Sequence, residues 1–279
     1  MFEKIVVTLD GSKQAEVALP YAEELAAKMG YNLVLLTILD ALDTNECENY
    51  SNYAKKIEEI TKYNVIKYID NGRLNPIDIT TAYRYGNPAA GIMEYALSSG
   101  LPLIVMASHG RSGISRWAVG SVADRVVRSN NCLPVLLIRS KESHSDIREK
   151  RIMKKALIPL DGSNTSETVI PYITQIAAKL EMELTVLQVV PKTNHANITE
   201  IEAHLQNVCS RLKENNITVN YKVNIGAIAE NIIDFADEFA FDLVAMSTRG
   251  KNRSDIFSLG SVAQKVFLGG NTPLLLIKK

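Results

Sequence analysis

The sequence predicts an α/β chain built from two tandem doubly wound domains, each carrying a five-stranded parallel sheet. Three observations predict it. The chain has 279 residues, about two domains at ~150 residues each. It repeats itself: Lys-Ile-Val-Val-Thr-Leu-Asp-Gly-Ser at 4–12 returns as Lys-Ala-Leu-Ile-Pro-Leu-Asp-Gly-Ser at 155–163. Short, continuous apolar runs alternate with amphipathic stretches in each copy, the pattern of parallel strands buried on both faces and separated by helices.

The repeat fixes the organisation. Asp10 matches Asp161 and Pro20-Tyr21 matches Pro171-Tyr172, both at an offset of 151. Leu103 to Met106 then matches Leu243 to Met246 at an offset of 140. The first copy therefore carries 11 extra residues, which fall between Asp40 and Gly86. Residues 140–151 are polar and mixed in charge, the composition of a linker. The expected boundaries are 1–142 for the first domain, 143–151 for the linker and 152–279 for the second domain.

The elements follow in order. Ile5 to Leu9 is a buried strand. A helix starts at Ser12, keeps Val17, Tyr21, Ala22, Leu25 and Ala26 on one stripe, and stops at Gly30. Leu33 to Leu39 is the second strand. A helix from about Tyr50 to Asn71 presents Tyr53, Ile57 and Ile60 on one face and stops at Gly72. Ile77 to Tyr85 is a less hydrophobic third strand. Ala89 to Ser98 is a helix, Leu103 to Ala107 a strand, Val122 to Arg128 a helix and Val135 to Ile138 the last strand. The second copy follows the same order.

Composition excludes several classes of function. Lys plus Arg and Asp plus Glu are each 31, so the net charge is zero. That argues against a basic nucleic-acid binder, and the 46% hydrophobic content argues against an acidic disordered chain. No apolar run approaches the ~20 residues of a membrane span. Met1-Phe2-Glu3-Lys4 runs straight into Ile5 without the layout of a signal peptide. Cys47, Cys132 and Cys209 are odd in number and far apart, which suits reduced thiols in a cytoplasmic protein rather than a disulfide framework or zinc site.

Ligands of doubly wound sheets bind at the carboxyl ends of the strands, where strand order switches. The residues there are informative. After strand four the first copy reads Met106-Ala107-Ser108-His109-Gly110, then nine residues, then Gly120-Ser121. The second copy reads Met246-Ser247-Thr248-Arg249-Gly250, then nine residues, then Gly260-Ser261. A glycine lets backbone approach an anion closely, and free amides at a helix start attract one. The pattern therefore suits a phosphate. Ser121 with Asp124, and Ser261 with Gln264, also fit capping boxes. Asp10 and Asp161 end strand one, where a carboxylate can accept from a ribose hydroxyl or an adenine amine, or can hold its own turn. Arg249 can clamp a phosphate; His109 can donate to one or be a loop residue. His144, His195 and His204 have no partner at metal-ligand spacing. Trp117, opposite Phe257 in the second copy, reads as a packing anchor. No G-x-x-x-x-G-K-[ST], G-x-S-x-G or first-strand G-x-G-x-x-G is present.

These residues resemble the universal stress protein family in tandem form, over essentially the whole chain. The family signature is G-x-x-G-x9-G-[ST] after strand four, with a V-D-G-S-like turn after strand one. Both copies depart at the first glycine, which is Ala107 in one and Ser247 in the other. Thr8 stands where the second copy has Pro159, the more familiar residue. The resemblance implies a Rossmann-like fold of the adenine nucleotide alpha hydrolase type and sites for ATP, ADP or AMP with Mg2+. It implies that Thr8, Asp10, Ile38, Met106, Ala107, His109, Gly110, Gly120, Ser121 and Val122 hold one nucleotide. Pro159, Asp161, Val189, Met246, Ser247, Arg249, Gly250, Gly260, Ser261 and Val262 would hold the other. Backbone at Ile38 and Val189 would meet the adenine. It further implies that the halves form an internal pseudo-dimer through their fifth strands, with a homodimer beyond that. Function is expected to be nucleotide-dependent stress signalling with little or no hydrolysis. The alternatives are a slow ATPase or nucleotidyl-transfer enzyme using His109 or Arg249, and an interaction protein that binds no nucleotide.

Overall fold

In this computed structural model, residues 2–39, 44–69, 77–109, 119–129, 133–139, 152–193, 197–249 and 259–278 are described, those of 44–49 by backbone only. The chain forms two compact units, Met1–Ile152 and Met153–Lys279. The linker expected at 143–151 lies outside the described residues, as do Gly72, Gly110, Gly250, Trp117, Phe257, Cys132, His144 and His195.

The first unit contains β1 (Lys4–Leu9), α1 (Lys13–Glu16), α2 (Leu19–Met29), β2 (Asn32–Leu39), α3 (Thr44–Tyr68) and β3 (Ile79–Tyr85). It continues with α4 (Pro88–Ser98), β4 (Leu103–Ala107), α5 (Ser121–Ser129) and β5 (Val135–Ile138). Its strands are all parallel, in the order β3-β2-β1-β4-β5. The second unit contains β6 (Lys155–Pro159), a 3-10 turn (Ser166–Val169), α6 (Ile170–Leu180), β7 (Glu183–Val190) and α7 (Ile198–Lys213). Then come β8 (Val219–Ile225), α8 (Ile228–Glu238), β9 (Leu243–Ser247), α9 (Ser261–Gly269) and β10 (Leu274–Ile277). Its order is β8-β7-β6-β9-β10, again parallel. Two doubly wound α/β sheets are thus present. In each, order switches beside the first strand, so a crevice opens between the loops that leave the first and fourth strands.

Apolar strands set this arrangement. Ile5, Val6 and Val7 of β1 and Leu103, Ile104 and Val105 of β4 are fully buried, as are Leu157 and Ile158 of β6. Burial of each such side chain contributes about 1.5–3 kcal/mol. Helices cover both faces, because parallel neighbours need a crossover between them.

Two helices differ from what the sequence predicts. The single helix expected from Ser12 to Gly30 is two. Ser12 caps α1, its Oγ accepting from the Ala15 amide at 3.1 Å, but α2 restarts at Leu19. Pro20 has no N–H for the Glu16 carbonyl, so the ladder cannot run through. Pro171 has the same effect in the second unit, where the 3-10 turn precedes α6. Gly30 does end α2, at φ 70° with its N–H on the Ala26 carbonyl at 2.9 Å.

Secondly, α3 runs Thr44–Tyr68, and its inner face is Ala54, Ile57, Thr61, Val65 and Tyr68. Ile60 is outside the stripe and 42% exposed. Ile57 stands at the edge of that face, and Ile60, three residues on, turns further round toward solvent. The 11-residue excess of the first copy lies between Leu39 and Ile79, mostly as the longer α3, of 25 residues against 16 in α7.

Two carboxylates are buried against α3 and the end of the first unit. Glu23 and Glu24 of α2 are 2% and 1% exposed. Asn64 of α3 donates to Glu23 at 3.3 Å, and the Ile152 amide donates to Glu24 at 3.0 Å. Burial drives the Glu23 pKa up to about 7, against the hydrogen bond from Asn64 and the charge of Lys67.

Candidate functional site

Each site starts from the turn after its first strand. Gly11 and Gly162 adopt φ 80° and 76°, the left-handed region where a side chain is strained. Asp10 Oδ1 accepts from the Ser12 amide at 2.9 Å and from its hydroxyl at 2.6 Å. Asp161 Oδ1 accepts from the Ser163 amide at 3.0 Å and its hydroxyl at 2.6 Å. The aspartates therefore hold their own turns through one oxygen, as Asp-Gly-Ser chemistry allows. That places each carboxylate in a fixed orientation at the end of the first strand.

The second component follows strand four. The Ser108 amide donates to the Ile138 carbonyl at 2.8 Å, and the Ser108 carbonyl accepts from the Gly120 amide at 2.7 Å. A Cβ on Gly120 would lie 3.0 Å from that carbonyl oxygen, so glycine is favoured here by close approach rather than by φ. The second unit repeats the arrangement with Thr248: its amide donates to Ile277 and its carbonyl accepts from Gly260, both at 2.8 Å. A Cβ on Gly260 would also meet the Thr248 oxygen at 3.0 Å.

This pinning corrects the capping boxes. Gly260 is the N-cap of α9, and its carbonyl accepts from the Gln264 amide at 2.8 Å. The Gly120 carbonyl accepts from Asp124 in the same way at 2.9 Å. Ser121 and Ser261 are therefore first helical residues, one position too late to cap, and both are exposed. Asp124 instead takes the Arg128 Nε at 2.8 and 2.9 Å. The first-turn amides of α5 and α9 have no partner within their own helices, which leaves them to the site.

In the first unit a cavity of about 490 Å³ lies between these components. That is within the range of small-molecule sites. Of the expected residues, Thr8, Asp10, Ile38, Met106, Ala107 and His109 line it on the strand side. Gly120, Ser121 and Val122 line it at the start of α5. Leu36, Thr37, Gly86, Ile92 and Ser108 are among the further lining residues that the sequence did not point to. Gly86 donates to the Leu39 carbonyl at 3.0 Å and so brings the start of α4 to β2. At Gly91 a Cβ would sit 3.0 Å from Ile38 Cδ1, which is how α4 packs close to that strand. The signal for Gly86, and for the helix that carries Ile92, was Gly-Asn-Pro at 86–88, a turn and helix start. In the second unit Pro159 ends β6, Val189 lies in β7, and Met246 and Ser247 end β9. Arg249 follows, and Gly260, Ser261 and Val262 open α9.

Basic groups stand at the ends of these strands, half-buried at His109 and Arg139 and buried at Lys278. His109 Nδ1 is 3.0 Å from Ser108 Oγ, and burial, then the charge of Arg139, lowers its pKa. Arg139 follows β5, and burial brings its guanidinium down to about 10. In the second unit Lys278 follows β10 and is 5% exposed; burial, then Arg249, lowers its pKa. Arg139 and Lys278 were not expected, although each is the basic residue after a matched last strand. Among the described residues no group of three His, Cys, Asp or Glu side chains is placed to hold a metal ion. None of the described helices is long and apolar enough to cross a membrane.

Comparison with known proteins places both units. The model of the universal stress protein family matches residues 1–139 and again 153–278. The universal stress protein YxiE of Bacillus subtilis is 32% identical over 149 residues, 50% of this chain and 100% of that protein. The universal stress protein MJ0531 of Methanocaldococcus jannaschii is 26% identical over 144 residues, 47% of this chain and 85% of that protein. A crystal structure of a universal stress protein from Archaeoglobus fulgidus superposes with a TM-score of 0.70 at 17% identity. That alignment covers 99% of this chain and 98% of the other, so the likeness in fold extends over the full length.

Proposed function

Since the chain belongs to the universal stress protein family in both halves, we propose that each half binds one adenine nucleotide, ATP, ADP or AMP, as a nucleotide-dependent stress-signalling module with little or no hydrolysis. The observation that carries the reading is the cavity at the switch point of the first unit. It has an apolar side at Leu36, Ile38, Ile92 and Met106, a carboxylate at Asp10, and first-turn helix amides at Ser121 and Val122. That sequence of surfaces fits the three parts of a nucleotide: base, ribose and phosphate.

The residues divide the work. The apolar side takes the flat faces of the base, and backbone along Ile38 gives polar contact at its edge. Asp10, oriented by its turn, accepts from ribose. The α5 amides and helix dipole take the phosphates, with Mg2+ accompanying them. In the second unit Val189, Asp161, Ser261 and Val262 take the matching roles. Slow turnover is supported by how the candidate bases are held: Asp10 in its turn, and His109 on Ser108 Oγ.

Titration of the full chain with Mg-ATP tests this. At a hundredfold excess over Kd, ligand stabilises the folded state by about 2.7 kcal/mol, which raises Tm by several degrees. We expect that rise without phosphate release above background. Turnover abolished by His109→Ala would establish the slow enzyme instead. No Tm shift with any of the three nucleotides would overturn the binding reading.

A further inference from the structure

The outer face of α3 is apolar where that of its counterpart is polar. Ile60, Tyr63 and Ile66 are 42%, 67% and 64% exposed, on the side of the helix away from Ile57, Thr61 and Val65. At 3.6 residues per turn, Ile60 and Ile66 stand ~60° to either side of Tyr63, so the three form one patch. In the second unit the matching helix, α7, turns Gln206, Asn207, Ser210, Arg211 and Lys213 to solvent, and none of its large apolar side chains is exposed. Single exposed apolar residues are ordinary, but three large ones side by side mark a surface that another molecule covers.

Charges bracket this patch symmetrically. Glu59 lies four residues before Tyr63 and Lys67 four residues after it, each ~40° round and ~6 Å along the helix. Both are exposed. Lys67 Nζ stands 4.7 Å from the centre of the Tyr63 ring and donates to Asn64 Oδ1 at 2.9 Å, which keeps the ammonium at the edge of the patch. Glu59 has no ion-pair partner among the described residues. The ion pair of Lys62 with Glu58 is satisfied within the helix, to one side. A pattern with matching apolar groups about its centre and opposite charges at its ends complements itself when reversed. In a two-fold contact each copy presents the same surface to the other. With two α3 helices antiparallel and the axis beside Tyr63, Glu59 stands level with Lys67 of the partner subunit, twice by symmetry. At interaxial distances of ~8–10 Å these long side chains reach across. A parallel pair would set like charges level instead. The zero net charge of the chain leaves no general repulsion between copies.

We propose that the α3 face of Ile60, Tyr63 and Ile66 docks a second copy of this chain as an antiparallel two-fold pair, with Glu59 and Lys67 setting its direction. The contact is small, with three large apolar side chains from each copy, so the dimer is weak and forms with rising concentration. Nucleotide binding plays no part in it.

The test is sedimentation velocity of the full chain from micromolar to near-millimolar concentration at low salt. The wild-type chain should pass from monomer toward dimer. Glu59→Lys alone and Lys67→Glu alone each set like charges opposite one another at two points, and each should weaken self-association by about tenfold or more. Mixed in equal amounts, the two variants should pair with each other at about the wild-type affinity, since each supplies the charge that the other lacks. Lys67 also acts on the buried Glu23, so Tyr63→Glu provides a change that touches solvent alone; it should abolish association by placing two carboxylates at the axis. A wild-type chain that stays monomeric throughout overturns the α3 dimer. So does association that survives Tyr63→Glu, which would place the contact elsewhere, or a mixture of the two charge variants that associates no better than either alone.

Discussion

Gly120→Val and Gly260→Val, made together, abolish nucleotide binding by the full chain. A Cβ at either position already falls 3.0 Å from a backbone carbonyl oxygen, that of Ser108 or Thr248. The two methyl groups of valine cannot be turned away from a contact made by the Cβ itself. Either the helix start moves outward or the strand-four loop does. Both movements stretch the amide-to-carbonyl bond of 2.7 Å in the first unit or 2.8 Å in the second. They also displace the first-turn amides from their place opposite the phosphate. Affinity at each altered site should fall by a hundredfold or more, the effect of losing about two charge-assisted hydrogen bonds. Each single change should remove one site and leave the other, so stoichiometry halves. Overpacking of this kind costs roughly 1–3 kcal/mol of stability, which a folded unit of this size tolerates. Retained full-affinity binding in the double variant would mean that the amides of α5 and α9 are not the phosphate contacts.

Glu23→Gln stabilises the chain above neutral pH and not below pH 4.5. Glu23 is buried between α2 and α3, and its carboxyl pKa rises from 4.5 to about 7 on folding. A raised carboxyl pKa means that the folded state holds the proton more tightly than the unfolded state. Its stability contribution is complete below the unfolded pKa of 4.5 and is lost as pH rises through about 7. Ionised Glu23 then carries a penalty on the order of 3 kcal/mol. Glutamine keeps an oxygen for the Asn64 amide at 3.3 Å and has no proton to lose. At pH 8 the variant should therefore melt several degrees higher than wild type, and the two should converge at pH 4.5. Parallel melting curves across that range would show that Glu23 is ionised at little cost.

The sequence made strands easier to read than helices. Ile5 to Leu9, Leu103 to Ala107 and Val135 to Ile138 are continuous apolar runs, and burial on both faces leaves few other ways to place them. Helix boundaries depended on single residues whose effect is local but strong. Pro20 divides the first helix, and Ile60 belongs to solvent because the inner face of α3 follows Ile57, Thr61 and Val65. Of the site, the parts that repeat at a fixed offset could be read: Asp10 with Asp161, and Gly120 with Gly260. The capping boxes misled because serine at the first helical position and serine at the cap look alike until the glycine carbonyl is seen accepting the bond. Ile92 could not be read, since it reaches its site through a contact far away in sequence. For Ser108 and Arg139 the second copy held a signal, in Thr248 and Lys278. Each keeps the chemical type of its partner in the first copy, a hydroxyl and a cation after the fourth and fifth strands.

Binding stoichiometry tests the central claim most directly. Equilibrium dialysis of the full chain against labelled ATP, carried to saturation, should give two nucleotides per chain, one for each glycine-pinned helix start. Zero bound nucleotides at saturation would contradict nucleotide binding altogether, and a single one would contradict its assignment to both halves.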